Sequence, residues 1–176
     1  SNQDSILKNI NEKLTSVVKK QLVSDRNVGC LLSGGLDSSL ICGLVANQFE
    51  NRRDLKTFSV GLEGSVDLLY AKKVAEYIGT DHHELIVTQD QMINAIPDVI
   101  KAIESYDTTT VRASTPMYLL SKYISETTNI KVILSGEGSD EASGSYLYFH
   151  QAPNDIEFKE ECERLMDDLC FFDVLR

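Results

Sequence analysis

Apolar residues in this chain switch between two periods, and that switch limits the fold more than any single motif does. Residues 28–32 (VGCLL), 55–61 (LKTFSVG), 84–87 (ELIV) and 131–134 (KVIL) are short apolar runs of strand type. Around them apolar side chains recur at helical spacing: Ile6, Leu7, Ile10, Leu14, Val17, Val18 and Leu22 behind Ser5 as a cap, then Leu40, Ile41, Leu44, Val45 and Phe49 over residues 38–50. Further helices are predicted over residues 67–78, stopped by Gly79, over residues 90–104 with an interruption at Pro97, and from Thr115-Pro116, with proline in the first turn. Strands that are nearly continuous apolar runs and alternate with helices need cover on both faces, which predicts an α/β fold with a doubly wound parallel sheet. Right-handed crossovers that stack the first three strands one way, followed by a return to the far side of strand one, give the order 3-2-1-4.

At 176 residues the chain is long enough for one packed core, so residues 1–176 are expected to form one domain. Seventeen Lys and Arg against 27 Asp and Glu leave a formal charge of −10, which argues against a nonspecific nucleic-acid binder. No apolar run approaches the roughly 20 residues of a membrane helix. The start, SNQDSILKNINEK, has no cationic stretch leading into an apolar one. A cytoplasmic protein with neither membrane nor nucleic-acid partners is the expectation. Cys30, Cys42, Cys162 and Cys170 form no C-x-x-C pair or zinc-type spacing and read as small buried hydrophobes.

Two strands end in unusual loops. Residues 33–39 (SGGLDSS) follow the first strand, and residues 135–141 (SGEGSDE) follow the fourth. In a 3-2-1-4 sheet these strands are neighbours, and ligands bind at the carboxyl ends of strands where the order reverses. The first loop has the parts of a phosphate site: Gly34 and Gly35 let the backbone approach an anion, the following helix offers unpaired amides, and Ser33, Ser38 and Ser39 add hydroxyls. It lacks the lysine of a P-loop. Asp37 would repel bare phosphate unless a divalent cation such as Mg²⁺ lay between them, and Asp140 is a second candidate ligand for such an ion. The plainer reading of either loop alone is a helix start made of small polar residues.

These residues carry a family resemblance. The run SGGLDSS is similar to the pyrophosphate-binding loop of the N-type ATP pyrophosphatases, whose fold is that of the adenine nucleotide alpha hydrolases. The run SGEGSDE followed by YLYFH (residues 146–150), together with YDTTTVRA (residues 106–113), resembles the asparagine synthetase branch of that family. The resemblance implies a ligase that uses ATP and Mg²⁺ to adenylate the side-chain carboxylate of aspartate, and then lets ammonia displace AMP. By position it implies that Ser33, Gly34, Gly35, Asp37, Ser38 and Ser39 hold pyrophosphate, and that Leu31, Val60, Ser135 and Gly136 hold the adenosine part. Asp37 and Asp140 would face Mg²⁺, while Glu137, Thr109 and Arg112 would act in the chemistry, the last two from an active-site loop.

The chain also departs from that pattern. It shows no amino-terminal cysteine or glutaminase-like domain, and it stops before the last third of the resembled domain, so an incomplete synthetase domain is expected. Residues 142–145 (ASGS) stand where the family more often has bulky and glycine residues. A catalytically inactive nucleotide binder, or a related β-lactam-forming synthetase, would share the same loops. His82 and His83 open a strand on opposite faces and read as structural. Tyr146, Tyr148 and His150 read as packing. Residues 155–176 form an acidic amphipathic helix whose stripe of Ile156, Leu165, Leu169 and Phe172 would favour a homo-oligomer.

Overall fold

A computed structural model of the chain describes the backbone of residues 2–174 and the side chains of residues 2–168. It divides into two compact units, Ser1–Ser135 and Gly136–Arg176.

In the first unit four strands, β1 (Val28–Leu31), β2 (Lys56–Leu62), β3 (Asp81–Val87) and β4 (Val132–Leu134), are all parallel and lie in the order β3-β2-β1-β4. This is the sheet expected from the alternation of periods. Side chains alternate across it, and each face is covered. On one face Cys30 and Leu32 pack with Cys42, Val45, Ala71 and Ala75; on the other, fully buried Phe58 packs with Leu120, Ile124 and Ile130. Burying a side chain such as Phe58 contributes roughly 1.5–3 kcal/mol, so both faces are needed to hold so short a sheet.

The helices are α1 (Asn2–Gln21), α2 (Leu36–Ala46), α3 (Val66–Ile78), α4 (Gln89–Ile103) and α5 (Thr108–Thr127). Their ends follow local chemistry. Ser65 caps α3 by accepting the Leu68 amide at 3.3 Å, and Gly79 ends it in the left-handed region at φ 92°. Thr88 and Gln91 form a reciprocal capping box on α4, with bonds of 3.1 and 2.8 Å.

Three sequence expectations are corrected. Ser5 is not a cap, because α1 already runs from Asn2. Pro97 does not interrupt α4: it sits on the exposed face of a helix that runs unbroken from Gln89 to Ile103. Pro116 lies inside α5 and does not open it. The true cap is Asp107, whose Oδ2 accepts the Thr110 amide at 2.8 Å and the Thr110 hydroxyl at 2.9 Å. This adds two turns in front of Thr115, whose own hydroxyl bonds Val111 O at 2.7 Å.

Cys30 and Cys42 are buried free thiols, as read, and Cys162 is half-buried and free. The neighbouring Cys42 thiol, followed by burial, pushes the Cys30 thiol far up, so it stays protonated and unreactive. His82 and His83 are structural. His82 lies between Thr57 Oγ1 (2.9 Å) and Ser59 Oγ (3.1 Å), while His83 stacks on Phe58 and meets Asp81 and Lys56, each at 3.2 Å.

The second unit contains α6 (Ser139–Ser143), a 3-10 turn (Leu147–Gln151) and α7 (Asp155–Val174). Gly144 ends α6 at φ 63°, and a Cβ there would lie 2.8 Å from both Phe158 Cζ and Cys162 Sγ, so α7 packs where any larger residue would stand. Tyr146, Tyr148 and Phe149 stack in series, and Phe149 meets Phe158 edge-on at 5.4 Å, so the two tyrosines pack within the run while His150 is exposed. Of the apolar stripe expected on α7, Ile156 is exposed and Leu165 half-buried, whereas Leu169 and Phe172, like Cys170, lie outside the described side chains.

Candidate functional site

The register places the predicted residues at one edge of the sheet. Leu31 pairs with Phe58 and Cys30 with Leu134, so Leu31 is level with Ser135 and Ser33 is level with Val60. Leu31, Ser33, Val60 and Ser135 thus share the carboxyl edge of β1, β2 and β4, all within the first unit. Leu31 O accepts the buried Cys42 thiol at 3.3 Å, which ties the end of β1 to the middle of α2.

The loop between β1 and α2 is tightly built. Gly34 has φ 83°, and a Cβ on it would lie 2.6 Å from Ala71 N. The sequence reading assigned this glycine to anion approach; the structure shows it is required first for contact with α3. Gly35 has ordinary backbone angles and caps α2 without a side chain. The first backbone bond of the helix runs from Ser39 N to Gly35 O at 3.1 Å. The amides of Leu36, Asp37 and Ser38 make no hydrogen bond among the described residues, and they crown an eleven-residue helix with its positive dipole end. Asp37, in that first turn, is half-buried, and its carboxylate has no ion pair or hydrogen bond among the described residues.

The hydroxyls turn onto the loop itself. Ser33 Oγ and Ser38 Oγ are 2.9 Å apart, Ser33 N donates to Ser38 Oγ at 3.2 Å, and Ser39 Oγ donates to Gly35 O at 2.6 Å.

Thr109 and Arg112 were expected on a loop; they occupy the first turns of α5, three residues apart and so on one face. Because α5 feeds the amino end of β4, its own N-terminus points toward the carboxyl edge of the sheet. Both side chains are exposed, and Arg112 has no ion pair among the described residues. The signal for this helix start was the Asp107-Thr-Thr-Thr run, read in sequence only as part of a motif. The structure also adds the β2–α3 turn to this edge. A Cβ on Gly61 would lie 2.6 Å from Ser65 Oγ, a closeness no local pattern announces.

In the second unit, Gly136 and Glu137 belong to the turn that leads into α6, and Asp140 lies in the first turn of that helix. Ser139 Oγ donates to Gly136 O at 2.8 Å, Asp140 accepts the Ser145 hydroxyl, and Glu137 is exposed. Among the described residues no group of three or more His, Cys, Asp or Glu is gathered to hold a metal, and no helix is long and apolar enough to cross a membrane.

A parallel sheet in the order β3-β2-β1-β4, with a glycine-serine loop opening a helix at its switch point, defines the adenine nucleotide alpha hydrolase type of α/β fold. Two solved structures share this fold. NMN synthetase from Francisella tularensis aligns with TM-score 0.53 at 14% identity, covering 90% of this chain and 70% of its own; the NH3-dependent NAD synthetase from Campylobacter jejuni aligns with TM-score 0.52 at 20% identity, covering 79% and 60%. The asparagine synthase family model matches residues 9–168, and the chain belongs to that family. It is 49% identical to the asparagine synthetase [glutamine-hydrolyzing] of Cricetulus griseus and 48% identical to that of Homo sapiens, each over 98% of this chain. The chain spans 31% of the length of these relatives.

Proposed function

We propose that this chain carries the ATP-binding and aspartate-adenylating part of an asparagine synthetase. The observation that carries the reading is the open first turn of α2, where three amides without internal partners and an unpaired Asp37 stand beside Ser33 and Ser38 at the switch point of the sheet. Identity of 48–49% over nearly the whole chain to glutamine-hydrolysing asparagine synthetases supports the same reading.

In the proposed reaction an oxygen of the aspartate β-carboxylate attacks the α-phosphorus of ATP, the bond to the bridging oxygen breaks, and pyrophosphate leaves. Ammonia then attacks the acyl carbon of β-aspartyl-AMP. AMP departs with the original carboxylate oxygen, a proton is lost, and asparagine remains. A free carboxylate is a poor electrophile, so activation is required, and the protein contributes positioning and charge neutralisation.

The amides of residues 36–38 are assigned to the β- and γ-phosphates, with Gly34 and Gly35 shaping the loop around them. Leu31, Val60, Ser135 and Gly136 are assigned to the adenosine. Arg112, exposed and unpaired, offers a planar charge to phosphate or carboxylate, with Thr109 one turn away on the same face. Glu137 is assigned to formation of the adenylate. The donor set fits Mg²⁺, which is commonly held by one or two carboxylates plus substrate phosphates and not by an all-protein cage. Asp37, in the first turn of α2, would hold it beside the phosphates, and when bound it would offset phosphate charge; Asp140 is a proposed ligand on the family's pattern alone.

The test is aspartate-dependent exchange of labelled pyrophosphate into ATP, run on the chain and on Asp37→Ala. Exchange that disappears in the variant is expected. Exchange that is absent in the unsubstituted folded chain, or equal in the two, would overturn the reading.

A further inference from the structure

The three hydroxyls of the β1–α2 loop are not equivalent, because their hydrogens can be counted. Gly35 O accepts Ser39 N at 3.1 Å and Ser39 Oγ at 2.6 Å, its two shortest bonds. Ser38 Oγ reaches the same oxygen only at 3.3 Å. Each hydroxyl oxygen of the other pair already accepts a backbone amide: Ser33 N donates to Ser38 Oγ at 3.2 Å, and Gly35 N donates to Ser33 Oγ at 3.3 Å. The two oxygens stand 2.9 Å apart, so one hydroxyl hydrogen joins them and the second is engaged by nothing closer than the 3.3 Å bond from Ser38 Oγ to Gly35 O. Ser39 has no such remainder, since its single hydrogen lies on the shortest bond in the loop.

Resting on the reading of residues 33–39 as a pyrophosphate loop, we propose that Ser39 is a positioning residue and not a phosphate donor. Its hydroxyl bonds the carbonyl four residues back, which anchors the Gly35 peptide to α2 by two bonds instead of one. That peptide group carries the Leu36 N–H itself and precedes the amides of Asp37 and Ser38, so its orientation sets where those donors converge. The Ser33–Ser38 pair supplies the one hydroxyl that reaches the anion, and it does so without breaking the bond between its members. The sequence motif presents three serines of equal standing; the structure divides them into a clamp and a donor pair.

The experiment compares the unsubstituted chain with Ser39→Ala and Ser39→Thr by two readouts: amide resonances of Leu36 and Asp37 without ligand, and calorimetric binding of magnesium pyrophosphate. Ser39→Ala is expected to move both amides and weaken binding about tenfold, the scale of one well-placed hydrogen bond. Ser39→Thr, which keeps the hydroxyl, is expected to restore both. Weaker binding with unmoved ligand-free amides would make Ser39 a direct ligand and overturn the proposal, as would a Ser39→Ala chain that matches the unsubstituted one. If magnesium pyrophosphate fails to bind the unsubstituted chain, the pyrophosphate reading falls. The ligand-free amides then still decide whether the clamp exists.

Discussion

The α-carbon of Gly34 rests against the backbone of Ala71: a Cβ built on Gly34 would stand 2.6 Å from Ala71 N and equally close to Tyr70 C. The loop that opens α2 is thus seated on α3, and its shape depends on a helix thirty-odd residues further along the chain.

Gly34→Ala is therefore expected to be costly for two additive reasons. The backbone there has φ 83°, which a side chain disfavours by about 1–2 kcal/mol, and the added methyl group meets main-chain atoms that cannot swing aside, at about 1–3 kcal/mol more. Urea denaturation should show a loss of roughly 2–5 kcal/mol. Gly35→Ala, whose Cβ would meet only Ser33 Oγ at 3.4 Å, should lose far less stability, and equal losses would contradict the seating of the loop on α3.

His82 makes stability depend on pH. Burial, chiefly, holds its imidazole below the usual histidine range, and the ring bonds Thr57 and Ser59 in its neutral form. The unfolded chain takes up a proton near pH 6.5, whereas the folded chain resists it. Stability is then fully present above that value and declines as the pH falls through the folded pKa. Denaturation midpoints measured from pH 7.5 down to 5 should fall, and His82→Gln should flatten the slope. Asp81 acts in a separate, more acidic window. Lys56 beside it holds its carboxyl below the usual range, so its contribution is lost only as that carboxylate protonates.

Asp107 fixes the start of α5 and with it the placement of Thr109 and Arg112. Replacing this cap by alanine should cost about 1 kcal/mol, while Asp107→Ser should recover most of it. If Thr109 and Arg112 act from the first turns of α5, Asp107→Ala should also raise the KM for ATP or aspartate beyond what the lost stability explains. An unchanged KM would separate the cap from the site.

The architecture was legible because it rests on local patterns. Val28-Gly-Cys-Leu-Leu has too few residues for a helix and too many consecutive apolar ones for a half-exposed strand, and Gly79 after Ile78 reads as a helix stop without any tertiary information. The two prolines misled for a matching reason. Pro97 and Pro116 are judged from sequence by the bond they remove, yet whether a helix tolerates that loss depends on what surrounds the freed carbonyl. The start of α5 was missed because Asp107 sits in a run that reads equally well as a loop.

For the site, the sequence by itself determined which residue types are present and in what order: the glycines and serines after β1, the acidic turn after β4, and the strand periodicity that brings the ends of β1 and β4 together. Those features depend on neighbours along the chain, where spacing and side-chain chemistry suffice. Only the tertiary structure decided that Gly34 serves α3, that Cys42 ties α2 to Leu31, and that Ser39 Oγ donates to Gly35 O at 2.6 Å while Ser33 Oγ and Ser38 Oγ face each other at 2.9 Å. These roles arise from contacts across the fold and from the finite number of lone pairs and hydrogens at each atom, and no count of that kind can be made until the atoms have positions.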